Sequence, residues 1–157
     1  RVEKGYNLQP SSWKSGGIQI TVPVEAIHSV TLSGSGDIVG RTRLEAAQFE
    51  VVMSGSGDIT LDVFAGELES TLSGSGDIRL SGTADTFSVQ VSGSGDVHAY
   101  DLEAKNVDAV VSGSADIKVT ALESLTARVS GSGDVHYRGN PVKIDSRTSR
   151  SGDITKG

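Results

Sequence analysis

Cysteine is absent from this sequence, so disulfides and thiolate metal sites are excluded, while no redox compartment is ruled out. No run of eighteen apolar residues occurs, which excludes a membrane-spanning helix. Basic residues are outnumbered, with 14 Lys and Arg against 20 Asp and Glu and a net charge of −6. A nucleic-acid footprint would need a basic stripe, so no nucleic-acid partner is expected. No helical pattern of 10–15 residues lies between extended stretches, which argues against a doubly wound α/β fold. With 157 residues the chain is one domain by length and can bury a core.

What the chain has in excess is glycine, 20 residues, mostly within one recurring phrase. Ser-Gly-Ser-Gly-Asp-Ile stands at Ser33–Ile38, Ser54–Ile59 and Ser73–Ile78, and continues as Ser92–Val97, Ser112–Ile117, Ser130–Val135 and Ser149–Ile154. Its aspartates, Asp37, Asp58, Asp77, Asp96, Asp116, Asp134 and Asp153, are spaced by 21, 19, 19, 20, 18 and 19 residues. A near-constant period in this range marks a solenoid in which each repeat is one rung.

Apolar residues keep phase with these aspartates. One residue after them stand Ile38, Ile59, Ile78, Val97, Ile117, Val135 and Ile154, and three after stand Gly40, Leu61, Leu80, Ala99, Val119 and Tyr137. Five before stand Leu32, Met53, Leu72, Val91, Val111, Val129 and Thr148. Seven before stand Val30, Val51, Ser70, Val89, Ala109, Ala127 and Ser146; nine before stand Phe49, Leu68, Phe87, Val107, Leu125 and Ile144. Odd offsets throughout give the alternation of strands with one buried face. The same parity turns both glycines inward, where a missing side chain permits a bend or close approach of another wall, and turns serines and aspartate outward. Ala115 carries a methyl in this column, so tight packing or a shallow bend, rather than a positive φ, explains the site. Arg150 replaces the other glycine in the last repeat, and an enclosed guanidinium would be costly, so that rung is expected to be open there.

These features predict an all-β fold: a single-stranded parallel β-helix of about seven rungs of 18–21 residues, stacked about 4.8 Å apart. It is expected to be right-handed by the rule for parallel crossovers. An antiparallel sandwich also spaces strands regularly but has no reason to repeat one hexapeptide in phase. Residues 1–27 are expected to cap the N-terminal end, with Tyr6 and Trp13 over the core and a strand from Gly17 broken at Pro23; residues 28–157 hold the repeats. Corners are expected at Gly40–Gln48, Phe64–Glu67, Ser81–Thr86, Asp101–Asn106, Thr120–Ser124 and Arg138–Pro141, the last carrying the turn signal Gly139-Asn140-Pro141. The chain begins at Arg1 rather than Met, so N-terminal sequence, with room for a secretion signal, is expected to have been removed. It stops four residues after Asp153, which suggests an edge strand there.

Seven outward carboxylates in register repel by roughly 0.9 kcal/mol per neighbouring pair in water and roughly 3.5 at an effective dielectric of 20. The structural account is that nearby Ser hydroxyls and backbone N–H groups donate to each carboxylate, as in Asx turns. Arg79 and Lys118 would partly neutralise the column. Calcium is the metal alternative, with Asp58, Asp77, Asp96 and Asp116 as candidates, because Gly-x-Gly-Asp resembles the nonapeptide of calcium-binding β-rolls. That match has the aspartate one residue early and twice the period, and calcium needs six to eight oxygens. A polysaccharide lyase or hydrolase would draw Arg79 or Lys118 together with Asp77, Asp96 and Asp116, but an active site needs a local departure from the repeat. His98 and His136 lie two rungs apart with Lys118 between, too far to share a metal ion. The serine columns, such as Ser33/Ser35 and Ser54/Ser56, lack the threonine ranks of an ice-binding face.

Ser-Gly-Ser-Gly-Asp-Ile/Val, in five unbroken copies and two with one substitution, resembles the hallmark of the GIN-domain family, bacterial proteins labelled auto-transporter adhesins (head domain). The resemblance runs from Ile18–Val24 through the seventh motif and implies a β-helical, exported protein, whether periplasmic, outer-membrane-associated or on the cell surface. It carries over no catalytic residue and no cofactor. The expectation is a non-enzymatic adhesive or scaffolding module whose repetitive face meets a glycan or another surface protein, with a homo-oligomer open.

Overall fold

A computed structural model describes residues 27–149 and 151–157. Among them there is no helix; parallel strands build a β-solenoid of about seven turns. The elements are β1 (Ser29–Gly34), β2 (Ile38–Val39), β3 (Leu44–Gly55), β4 (Ile59–Leu72), β5 (Ile78–Val91), β6 (Val97–Val111), β7 (Ile117–Val129), β8 (Val135–Arg138), β9 (Lys143–Thr148) and β10 (Ile154–Lys156). Each lies on the strand one repeat away: Ile59 pairs Ile78, Ile78 pairs Val97, Val97 pairs Ile117, and Ile117 pairs Val135.

The alternation in sequence becomes the dry interior. Ile59, Ile78, Val97, Ile117 and Val135 are fully buried, as are Val51, Val89, Ala109 and Ala127, and the large side chains Phe49, Leu68 and Phe87 are nearly so. Like residues stack on like from rung to rung, so the core is continuous along the axis. Ser70 is the polar exception, wholly enclosed between Val51 and Val89 with its hydroxyl unpartnered.

Four expectations need correction. The segments Phe64–Glu67, Ser81–Thr86, Asp101–Asn106 and Thr120–Ser124 are not loops but lie within β4, β5, β6 and β7, and they carry the buried Ala65, Ala84, Leu102, Ala104 and Ala121. Fourteen residues of β4 would reach roughly 46 Å if straight, yet a rung must return to within about 4.8 Å of its start, so these strands bend while keeping their ladder. Extra residues are absorbed as bulges, with register shifts after Arg79 and after Ala99. Gly82 (φ 115°) and Gly139 (φ 95°) supply left-handed backbone, the latter at the predicted turn between β8 and β9.

The second correction concerns Ile144, expected inside but 46% exposed, with Ser146 and Thr148 exposed beside it. Among the described residues β9 pairs only with β7, so nothing covers its other side. Third, of the two glycines only the one directly before the aspartate is buried, at Gly57, Gly76, Gly95, Gly133 and Gly152; Gly55, Gly74, Gly93, Gly113 and Gly131 are half-buried, and in the first repeat Gly34 and Gly36 are both exposed. Fourth, what approaches the buried glycine is not an opposite wall but the rung beneath it. A Cβ on Gly76 would lie 1.8 Å from the Gly57 carbonyl oxygen, and one on Gly95 1.9 Å from that of Gly76. Ala115 occupies this column fully buried, and no left-handed φ is found at Gly57, Gly76, Gly95 or Gly133. The expected cap over 1–27, apart from its last residue Ile27, and the corner at Arg150 lie outside the described residues.

Candidate functional site

The aspartate column is where charge is most ordered, and backbone geometry explains it. Along an extended chain, successive N–H groups point alternately toward the rung before and the rung after. Ser75 N–H donates back to the Gly55 carbonyl, and Ile78 N–H donates forward to the Asp96 carbonyl. Asp77 N–H, between them in phase, must also point back, and there it meets the carboxylate of Asp58 at 3.1 Å. The same bond joins Asp58 N–H to Asp37, Asp96 to Asp77, Asp116 to Asp96, Asp134 to Asp116 and Asp153 to Asp134, at 2.8–3.2 Å. Each carboxylate thus accepts from the next rung's main chain through Oδ1.

Of the two donors expected from sequence, the backbone N–H is found, supplied by the next rung, and the serine hydroxyl is not. Serine hydroxyls do not serve the carboxylates; those of Ser112, Ser130 and Ser149 face the carbonyls of Val91, Val111 and Val129 at 3.4–3.5 Å. A hydrogen bond to a charged acceptor contributes about 1.5–3 kcal/mol, comparable to the like-charge repulsion it must offset. Arg79 adds to this by lying between two rungs, 3.6 Å from Asp58 and 3.4 Å from Asp77 through their Oδ2 atoms. Lys118, expected to act likewise, makes no ion pair among the described residues.

Beside the aspartates runs a second column, Thr60, Arg79, His98, Lys118, His136 and Thr155, in direct register. Lys118 therefore does stand between the two histidines, and His136 Nδ1 lies 2.7 Å from Thr155 Oγ1. The calcium candidates Asp58, Asp77, Asp96 and Asp116 stack in one file and do not converge. Among the described residues no three Asp, Glu or His side chains gather in a way that could hold a metal ion.

A different part of the surface was missed by sequence reasoning. On the far corner an alanine column, Ala46, Ala65, Ala84, Ala104 and Ala121, runs along the axis in register. Over this corner lies an open groove of about 740 Å³, lined by Ala47, Gly66, Thr83, Asp85 and Lys105, with Phe64 (53% exposed) and Leu122 (44% exposed) also in its lining. A second depression of about 780 Å³ meets it at Ala47 and extends past Gln48, Glu50, Glu67 and Glu69 to His28. The signal in sequence was the apolar Phe64 and Leu122 within segments otherwise read as polar corners. Lys105 bonds Asp85 at 2.7 Å, and that bond, with the attraction of the carboxylate, raises its pKa from the ordinary 10.5.

The family described as "Putative auto-transporter adhesin, head GIN domain" matches residues 1–141. Among solved structures, one titled a putative adhesin, from Bacteroides fragilis, is 27% identical with a TM-score of 0.80 and aligns over 83% of this chain and 60% of its own. Another, titled a putative lipid binding protein, from Parabacteroides distasonis, is 34% identical with a TM-score of 0.80, over 82% of this chain and 52% of its own. The chain thus spans between half and three fifths of those solved chains. No curated protein sequence matches.

Proposed function

Because the chain belongs to the auto-transporter adhesin head family with the GIN domain, we propose that it is a non-enzymatic adhesion or scaffolding module of an exported protein, meeting its partner through a face of the solenoid. The observation that supports this most is the rung-to-rung sameness of the ordered charge. Acid–base catalysis needs two groups whose surroundings differ enough to give them distinct roles. Here six successive carboxylates repeat one contact, each holding the next rung's N–H, and Arg79 beside Asp58 and Asp77 is the one ion-pairing departure among the described residues. Such a column is spent on the fold, and it leaves the remaining faces as a rigid platform for a glycan or another surface protein.

The test is a screen of the protein on arrays of glycans and purified envelope proteins, run with calcium and with chelator. Saturable binding that persists in chelator is the expected result. Release of shortened oligosaccharides from any bound polysaccharide would replace this reading with the lyase or hydrolase one. A melting temperature that falls in chelator and recovers with calcium would replace it with the calcium-binding one.

A further inference from the structure

The groove on the alanine corner gathers carboxylates that make no ion pair among the described residues. Outside the aspartate column, Asp62 stands 3.2 Å from Arg43, Asp145 3.4 Å from Arg147 and Asp108 3.9 Å from Arg128, and within the groove Asp85 is paired with Lys105 at 2.7 Å. Around the two joined depressions, Glu45, Glu50, Glu67, Glu69 and Glu103 have no cationic partner among the described residues. Glu67 is held in place by Gln48 at 2.8 Å. Residues 27–91 carry nine carboxylates against three Arg and Lys, whereas residues 92–157 carry nine against eight. Most of the lining, from Glu45 to Asp85, belongs to the acidic half, while Glu103, Lys105 and Leu122 come from the other.

Shape adds to charge. The floor accessible to a ligand is made by the exposed Ala47 and the half-buried Ala46 and Gly66, all with short or no side chains, so a chain can approach the backbone closely. From Glu45 on β3 to Leu122 on β7 the groove crosses five strands, roughly 19 Å at the inter-strand spacing. An extended peptide of about six residues spans that distance. Phe64 is a large apolar anchor at the groove's edge, and aromatic side chains that combine area with little rotamer freedom are favoured at binding centres.

We propose that this groove takes an extended, lysine- or arginine-bearing segment of a partner protein, with an apolar side chain seated against Phe64. Alternating residues of such a strand point to opposite sides, so its cations can face the free glutamates while its apolar residues meet Phe64 and the alanine floor. The unpaired carboxylates repel anionic lipid headgroups and give a neutral glycan no electrostatic advantage, which is why a cationic peptide fits best. The inference rests on the adhesion reading and names its partner chemistry.

The experiment titrates the whole chain with a labelled eight-residue peptide of alternating Lys and Leu, following anisotropy and backbone amide NMR shifts. Controls are the same peptide with Glu for Lys, a chito-oligosaccharide, and phosphatidylglycerol vesicles. The expected result is shifts centred on Ala47, Gly66 and Asp85, with Kd raised at least tenfold by Phe64→Ser and by the combined Glu45→Gln, Glu67→Gln and Glu69→Gln. Asp96→Asn, remote in the spine, should leave Kd unchanged, and melting curves identify any variant that has failed to fold. Lys–Leu binding indifferent to the groove variants overturns the proposal. So does Phe64-dependent binding of the oligosaccharide or vesicles in place of the peptide, or peptide binding only after residues 1–26 are deleted, which makes that segment the occupant. An array partner whose affinity ignores the groove variants leaves the adhesion reading standing and removes this inference alone.

Discussion

Two corners of the same solenoid obey opposite rules. At the aspartate corner Ser-Gly-Ser-Gly-Asp returns almost unchanged in every rung, while at the alanine corner the outward neighbours change from Glu45 to Phe64, Thr83 and Glu103. The difference lies in what each corner must satisfy. Near the aspartates the main chain needs one acceptor per rung and, at Gly57, Gly76, Gly95, Gly133 and Gly152, a glycine where the neighbouring rung leaves no space for Cβ. That requirement recurs with the rungs, Ala115 being the one substitution in the column, so the residues recur too. At the alanine corner no side-chain acceptor recurs from rung to rung; the main chain is met by the ladder and by scattered donors such as Asn106 and Thr120, and the outward side chains are free to differ.

Substitutions can break this comparison. Largest is Gly76→Val, whose Cβ would lie 1.8 Å from the Gly57 carbonyl oxygen; a loss of about 3 kcal/mol or more is expected in urea denaturation. Gly66→Val, at the other corner, meets Ala47 at 2.9 Å and should cost clearly less, about 1 kcal/mol. Equal losses would mean that the corners do not differ in packing. Ser70→Val, replacing an unpartnered buried hydroxyl between two valines, should gain about 1–2 kcal/mol in the same assay. Phe64→Ser should alter stability by less than about 1 kcal/mol, since the ring is half exposed; a larger loss would place Phe64 in the core rather than on a binding surface.

The smallest effect is at Lys105. Its raised pKa means that the Asp85 bond stabilises the fold fully below pH 10.5 and loses that contribution as pH rises through the folded-state value. Asp85→Asn should bring the Lys105 pKa down toward 10.5 in an NMR titration, with no measurable change in melting temperature at neutral pH. An unmoved pKa would contradict the pairing.

Much of this was readable from residue order. Repetition of Asp37 through Asp153 exposed the rung length, and odd offsets identified Ile59, Ile78 and Val97 as interior, because both are properties of a one-dimensional period. The acceptor role of Asp58 toward Asp77 was not readable: residues nineteen apart become neighbours only once rungs stack, and a local Asx turn looks the same in sequence. Nor was the alanine groove. Bulges at Tyr100–Leu102 break the parity on which the interior was assigned, and bending within β4 hides a corner inside a strand. Ile144 kept the right phase and still faces solvent, since burial depends on a neighbour as well as on parity.

The most direct test of the claim that the aspartates serve the backbone is a paired measurement of unfolding free energy for Asp77→Asn and Asp77→Ala. Asparagine keeps an Oδ1 acceptor for Asp96 N–H, so it should fall within about 0.5 kcal/mol of the parent; alanine leaves that N–H unpaired and should lose about 1–3 kcal/mol. If the two substitutions cost the same, whether both are harmless or both severe, the carboxylates are not there as main-chain acceptors.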